Sequence, residues 1–206
     1  MSVIKLPLIF QDGVVLQRGK PICIWGEAQT DGPVYIRLGE HNAVAPVKDG
    51  HWKAFLEPMG AASGLELTVS AGSETIHISD VAVGEVWIAG GQSNMEFLLK
   101  HDAQRAEAAQ RVCEDVRCFE VPKISFPGQE SYFKMSEAGV WRKENPSDSL
   151  LFNAIGYFFA NRLHEALEVP VGIINCTWGG TSASCWVSEE YLTGELQFYL
   201  DKAREV

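Results

Sequence analysis

The stretch that decides the fold reads VAVGEVWIAGGQSNM and spans residues 81–95. Its first part, residues 81–89, is a nearly continuous apolar run, which is typical of a strand buried on both faces of a sheet. The run stops at Gly90 and Gly91, and an amphipathic pattern that predicts a helix follows over residues 95–112. A buried strand, a glycine-rich turn and a helix in this order indicate the start of an α/β unit with a parallel sheet.

The same alternation continues toward the C-terminus. The predicted elements are a strand at 116–121, a long loop at 122–150, a helix at 151–167, a buried strand at 171–176 and a short helix from 189 on. The second buried strand ends at Trp178-Gly179-Gly180-Thr181. A right-handed crossover between the two buried strands brings both glycine-rich turns to the carboxyl edge of the sheet, where ligands bind in such folds.

Residues 1–82 show a different pattern of short apolar runs separated by turn sequences. Apolar and polar residues alternate at 34–38 and at 65–69, and Gly, Pro and Asp punctuate the intervals. This spacing predicts an antiparallel β-sandwich. The fold class is therefore α/β, with a β-sandwich domain at 1–82 followed by the N-terminal part of a doubly wound parallel sheet at 83–206, a sheet that we expect to be incomplete.

Composition excludes several classes of protein. The 206 residues contain 17 Lys and Arg against 27 Asp and Glu, a net charge of −10, which argues against a nucleic-acid binder and against binding to an anionic membrane surface. The N-terminus does not form a signal peptide, so a cytoplasmic location is expected. Cysteine is odd in number and forms no CxxC pair, which predicts reduced thiols and no metal site.

Ser93 is the candidate for chemistry, because it follows a buried strand at the start of a helix. Its hydroxyl is then exposed at the sheet edge beside backbone N–H groups, which are able to stabilise an oxyanion. Spacing alone leaves a second interpretation open, in which Ser93 or Asn94 caps the helix. The segment is not the Gly-x-Ser-x-Gly elbow of the α/β-hydrolases, since Met95 stands where the second Gly belongs.

Several stretches resemble blocks of one known family in the family's own order: QDGVVLQR at 11–18, GEVWIAGGQSNME at 84–96, NAIGYFFA at 153–160 and PVGIINCTWGGT at 170–181. The family is that of the sialate O-acetylesterases, a branch of the SGNH (GDSL-like) hydrolases. The resemblance implies a carbohydrate esterase that removes O-acetyl groups from sialic acid or another acetylated sugar without a cofactor. It makes Ser93 the nucleophile, with its own backbone N–H as one oxyanion donor.

The resemblance also assigns the surroundings of the serine. A second oxyanion donor is expected from the loop that enters the helix at 151–167, at Asn153 or Ala154. The pocket is expected to be walled by residues on the two glycine-rich turns: Gln92, Asn94, Gly179, Gly180 and Thr181.

The sequence departs from the family in one respect. A serine nucleophile needs a base, and the family supplies it from a late Asp-x-x-His block that is absent here, as is the family's Gln-Gly-Glu block. We therefore expect an N-terminal portion of a longer enzyme that is inactive alone. Its open sheet edges favour self-association or pairing with the missing C-terminal half. The alternative is a non-catalytic carbohydrate-binding or scaffold module with a vestigial serine loop.

The tryptophans divide by position. Trp25, Trp52 and Trp87 stand in predicted strands and are expected in the core. Trp141 in the predicted loop and Trp186 after the second glycine-rich turn are candidates for contact with a sugar ring.

Overall fold

The structure is a computed structural model that describes residues 3–108, 110–124 and 139–204. The strands are β1 (Ile4–Lys5), β2 (Val15–Gln17), β3 (Ile22–Ala28), β4 (Val34–Leu38), β5 (His41–Ala45), β6 (His51–Leu56), β7 (Ala62–Ala71), β8 (Glu74–Gly91), β9 (Cys113–Glu120), β10 (Trp141–Glu144) and β11 (Val171–Thr177). The helices are α1 (Ser93–Glu96), α2 (Arg105–Ala108), α3 (Ala154–Leu167) and α4 (Gln197–Arg204). Short 3-10 turns lie at Leu99–His101, Ser149–Leu151, Ala183–Trp186, Glu189–Tyr191 and Gly194–Leu196.

The strands form two sheets. β1, β3 and β6 make a small antiparallel sheet, and the larger mixed sheet has the order β10-β9-β11-β8-β7-β4-β5, with β2 also paired to β8. Along β4 buried and exposed side chains alternate strictly, as the sequence predicts for a sheet that covers a core with one face. Apolar side chains from both sheets meet in one hydrophobic core, which is represented by Ile24 of β3, Leu56 of β6 and Leu67 of β7.

Strand β8 connects the two parts of the chain. Its first part pairs antiparallel with β7, and its last part, from Glu85 to Gly91, pairs parallel with Val171–Thr177 of β11. The molecule is therefore a mixed α/β protein with antiparallel and parallel pairing, as predicted. The strand runs without a break through the predicted domain boundary at 82/83. The division into two domains, and the finer description as a sandwich plus an SGNH sheet, stay predictions.

The predicted helix at 95–112 is wrong. The segment instead contains α1, a 3-10 turn and α2, because its backbone is drawn into extended pairing after α1. Leu99 N donates to Phe152 O at 2.9 Å, and Ala154 N donates to Phe97 O at 2.8 Å. An α-helix would need these same groups for its own hydrogen bonds.

The predicted loop at 122–150 is also partly wrong, because β10 lies within it and pairs antiparallel with β9. Lys143 of β10 is held by ion pairs to Asp80 (2.9 Å) and Glu114 (2.8 Å). Residues 125–138 of that prediction lie outside the described residues. In the described ranges, no helix is both long and apolar enough to cross a membrane.

The tryptophan predictions have a mixed outcome. Trp52 is 4% exposed and belongs to the core, as expected. Trp25 and Trp87 are 41% and 46% exposed, so their placement in the core is wrong. Trp141, expected as a sugar contact, packs against the core and donates from Nε1 to Ile9 O at 2.9 Å. A buried strand position therefore fixes the backbone without fixing how much of a large ring stays in solvent.

Candidate active site

Ser93 begins α1 directly beyond the end of β8. Gly91 makes this turn with φ +147°, and a Cβ there would lie 2.9 Å from Met95 Cγ, so a residue with a side chain does not fit without strain. The turn places Ser93 on the surface, and the neighbouring Gln92 and Asn94 are exposed as well. The structure thus gives the serine the exposed position at a strand end that the sequence predicts.

The second glycine-rich turn reaches the same place because β11 lies beside β8 in parallel register. Thr177 is opposite Gly91, and Trp178 N donates to Gly91 O at 2.9 Å. A Cβ on Gly179 would lie 3.7 Å from Ser93 Oγ. The structure therefore brings Ser93 and Gly179 together, although they are far apart in sequence.

Glu96 fastens the two turns to each other. Its carboxylate accepts a hydrogen bond from Gly179 N and forms an ion pair with Lys123, whose side chain is only 10% exposed. A Cβ on Gly179 would meet Glu96 Oε2 at 2.5 Å, so a larger residue here would displace the Glu96 carboxylate. The sequence gives no sign of this role for Glu96, because its partners come from two distant segments.

Thr181 and Trp186 form the outer wall of the second turn. The Thr181 hydroxyl donates to Trp178 O at 2.7 Å and accepts from Trp186 Nε1 at 2.9 Å. A Cβ on Gly90 would lie 3.8 Å from the Trp186 ring, and the indole is 43% exposed. Trp186 thus stands beside the strand end that carries the serine. Gly180 lies exposed in the same turn with φ +81°.

Asn153 and Ala154 are placed differently from the residues on the two turns. Both are buried at the start of α3, and the Ala154 N–H is used by Phe97 O. The Asn153 side chain is fully buried, and within the described ranges neither atom of its amide has a hydrogen-bond partner. The structure joins these two residues to the segment after α1, and in the part of the chain it describes neither the Asn153 side chain nor the Ala154 N–H is hydrogen-bonded to the Ser93 hydroxyl.

A buried polar cluster lies at the carboxyl ends of β9 and β11, formed by Glu120, Asn175 and Thr177. The Asn175 amide donates to the Glu120 carboxylate, and burial raises the pKa of Glu120, opposed by this hydrogen bond and by Lys123. Among the described residues, Asn175 Oδ1 and Thr177 Oγ1 have no hydrogen-bond partner although both are buried. Sequence reasoning missed this cluster, because isolated polar residues at strand ends give no pattern of their own.

The histidines do not complete a serine–histidine pair in the described part of the chain. His164 Nδ1 lies 2.8 Å from Val169 O, and the His101 ring packs 6.0 Å from the Phe97 ring. His77 pairs with Glu66 at 3.2 Å in the N-terminal region.

Comparisons with known proteins agree with this arrangement of strands and turns. The sialate O-acetylesterase of Mus musculus is 26% identical over 188 residues, and that of Homo sapiens is 28% identical over 199 residues. The chain is related to the sialate O-acetylesterases. A solved structure of a carbohydrate acetylesterase from Xanthomonas citri shares 34% identity and matches with a TM-score of 0.83 over 92% of this chain.

The alignments with these acetylesterases cover most of this chain but less than half of each relative. The alignments cover 82% and 87% of this chain but 34% and 38% of the mouse and human proteins, and 43% of the chain from Xanthomonas citri. This chain therefore spans somewhat more than a third of the length of the relatives it matches. No protein-family model matches it. The predicted family relationship is confirmed, whereas the predicted roles of the site residues are not tested by these comparisons.

Proposed function

We propose that this chain carries the nucleophile-bearing part of a carbohydrate esterase that removes O-acetyl groups from sialic acid or another acetylated sugar. The observation that carries the proposal is the meeting of Ser93 Oγ with the Gly179 turn at the ends of two adjacent parallel strands. Ligands of parallel sheets bind at such carboxyl ends. The names of the relatives supply the substrate class.

In this mechanism Ser93 Oγ attacks the acetyl carbonyl, and the carbonyl oxygen becomes an oxyanion. The backbone N–H of Ser93 donates to that oxygen, while Glu96 keeps the Gly179 turn close by accepting the Gly179 N–H. The sugar oxygen leaves with a proton, and water later releases acetate from the serine ester. The proposal assigns the base to a segment outside these residues, since the sequence contains no Asp-x-x-His.

Labelling with a fluorophosphonate probe tests the role of Ser93, because the probe reacts with serines whose hydroxyl is activated beside oxyanion donors. In the longer protein that also contains the proposed base, we expect labelling at Ser93 and its loss in Ser93→Ala, which removes the nucleophile. This chain alone contains no Asp-x-x-His and should label far more slowly. Ser73→Ala, at an exposed turn, is the matched control and should label normally. Peptide mapping by mass spectrometry identifies the modified residue.

A longer protein in which Ser93 stays unlabelled would support the second candidate function, a carbohydrate-binding module with a vestigial serine loop. The lack of a histidine hydrogen-bonded to Ser93 in the described part of the chain favours that candidate. Labelling that persists in Ser93→Ala would contradict both the assigned nucleophile and the mechanism.

A further inference from the structure

A groove of about 440 Å³ lies on the solvent side of the small sheet, away from the strand ends that carry Ser93. It is lined by side chains of β3, β6 and the segment between β5 and β6: Trp25, Gly26, Pro46, Lys48, His51, Trp52 and Lys53. Its volume lies within the range of small-molecule sites, roughly 300 to 1,000 Å³. Nothing in the proposed esterase mechanism uses these residues.

Trp25 provides a fixed aromatic wall in this groove. The indole is 41% exposed on the outer face of the sheet, and its other side rests on Phe10, with ring centroids 4.6 Å apart in an edge-on arrangement. Lys53 is the direct cross-strand neighbour of Trp25 in the antiparallel pair of β3 and β6. An ammonium group therefore stands next to an indole that is already held in place by packing.

Trp52 lies beneath Gly26, its partner across the same strand pair. A Cβ on Gly26 would lie 2.5 Å from Lys5 O and 3.1 Å from the Trp52 ring, so the chain packs tightly over the indole on the core side of the sheet. The ring is 4% exposed, and its Nε1–H is buried with no hydrogen-bond partner among the described residues. Trp52 therefore supports the groove from the core side of the sheet, and the outer face of the sheet carries Trp25 and Lys53.

Positive charge gathers here although the protein as a whole is acidic. Lys48, His51 and Lys53 line the groove, whose lining contains no carboxylate among the described residues, in a chain of net charge −10. Two backbone hydrogen bonds between Lys48 and His51, of 2.8 and 2.9 Å, hold this turn in shape. Glu27, the cross-strand neighbour of His51, is itself paired with Lys5 at 3.6 Å.

We propose that this groove binds an acidic sugar, a pyranose that carries a carboxylate. The apolar face of the sugar ring stacks on Trp25, and the carboxylate pairs with Lys48 and Lys53. The ligand class overlaps with the substrate of the proposed function, but the proposal for the groove is based on different residues from those around Ser93. A failure here leaves the Ser93 proposal intact, and the reverse also holds.

Titration of the ¹⁵N-labelled chain with N-acetylneuraminic acid, followed by NMR, tests the proposal. The indole N–H signal of Trp25 should shift and saturate with a Kd on the order of 1 mM, as expected for one sugar on an open groove. The methyl ester of the same sugar keeps the ring and removes the charge, so it should shift this signal far less.

Two variants and their matched controls separate binding from folding. Trp25→Ala should weaken binding about tenfold through loss of the stacking surface, and Lys53→Gln about threefold through loss of one charge. Trp87→Ala removes an indole of similar exposure from β8, and Lys100→Gln removes an exposed lysine elsewhere. Both controls should bind as the unaltered chain does. Since Lys53 is exposed, Lys53→Gln is informative even if Trp25→Ala loses stability.

Four outcomes would overturn the proposal, the last of them in a control titration. The first is an absence of indole shifts at saturating sugar, and the second is equal binding of the acid and its methyl ester. The third is a set of shifts confined to residues 90–95 and 178–181, which would assign the sugar to the Ser93 site. Sodium acetate in place of the sugar should not reproduce the shifts; if it does, the groove binds small anions and not a sugar.

Discussion

The two halves of β8 border different interiors, one entirely apolar in the described part of the chain and the other containing buried polar side chains. The antiparallel half faces a core of aliphatic side chains and Trp52, in which the buried residues of the first 83 positions are all hydrophobic among those described. The parallel half borders the region that contains every buried polar or charged side chain of the described residues: Arg117, Glu144, Ser149, Asn153, Asn161, Asn175 and Thr177.

We infer from this difference that one region stabilises the fold and the other carries the functional site. An apolar core stabilises a fold through burial of apolar surface, and its side chains need no hydrogen-bond partners. Buried polar groups stabilise only when they are satisfied, and several here are not, including Asn153 and Thr177. Native structures keep such groups where a site requires them. The candidate active site accordingly lies in the second region, and the first region acts as its support.

The largest expected effect belongs to the apolar region. Leu67→Ala removes a side chain that is 0% exposed in the core, and it should lower the free energy of unfolding by about 3 to 4 kcal/mol because a cavity remains. Urea denaturation followed by tryptophan fluorescence measures the loss. Val44→Ala, at a residue that is 59% exposed, should change stability by less than about 0.5 kcal/mol. Equal effects of the two variants would contradict the assigned core.

A smaller effect is expected in the polar region. The Tyr157 hydroxyl donates to Glu144 Oε1 at 2.6 Å, and Glu144 is buried with Arg111 as its other partner at 3.4 Å. Tyr157→Phe leaves this carboxylate short of a donor, and the free energy of unfolding should fall by about 2 kcal/mol. Tyr35→Phe, at an exposed tyrosine, is the matched control for the same urea experiment and should be neutral. An unchanged midpoint for Tyr157→Phe would mean that this network is not intact in solution.

The smallest expected effect depends on pH and concerns Glu120. Burial raises the pKa of its carboxyl, so the folded chain prefers the protonated form, and wild-type stability declines as pH rises through the unfolded and then the folded pKa. Glu120→Gln carries no charge and keeps an acceptor for Asn175. It should therefore stabilise the chain at pH 7 by about 1 kcal/mol or less, and the gain should vanish near pH 4.

Thermal unfolding at the two pH values measures this gain, with the exposed Glu57→Gln as a control that should show none. A gain for Glu120→Gln that is the same at both pH values would show that packing and not charge is responsible. A loss of stability at pH 7 would mean that the electrostatic attraction of Lys123 for the Glu120 carboxylate outweighs the effect of burial.

Sequence reasoning succeeded where a local pattern decides the structure. The alternation at 34–38 and the apolar run at 81–89 both predicted strands, and the rule for parallel sheets predicted that Ser93 and Gly179 would meet. It failed at β10, because the charged residues of this strand show no strand pattern in the sequence. In the structure, Lys143 of β10 pairs with Asp80 and Glu114. Long-range ion pairs leave no periodicity in the sequence, so a strand built on them is not visible there.

The candidate site was predictable to the same degree. The serine and the second turn follow from strand ends, which a sequence marks with glycine. The bond between Glu96 and Gly179, the ion pair with Lys123 and the buried cluster around Glu120 depend on side chains from separate segments. The N–H of Ala154 was expected to be a donor in the pocket, but in the structure it donates to Phe97 O.

The continuity of β8 also sets an order of events during synthesis on the ribosome. The antiparallel partners of its first half, β7 and the strands behind it, are all translated before residue 74, so that half is able to pair as soon as it leaves the exit tunnel. The second half waits for residues 171–177 of β11. Until then the segment that carries Ser93 extends from a finished sheet as an unpaired strand, and this interval is when the nascent chain most needs protection from aggregation.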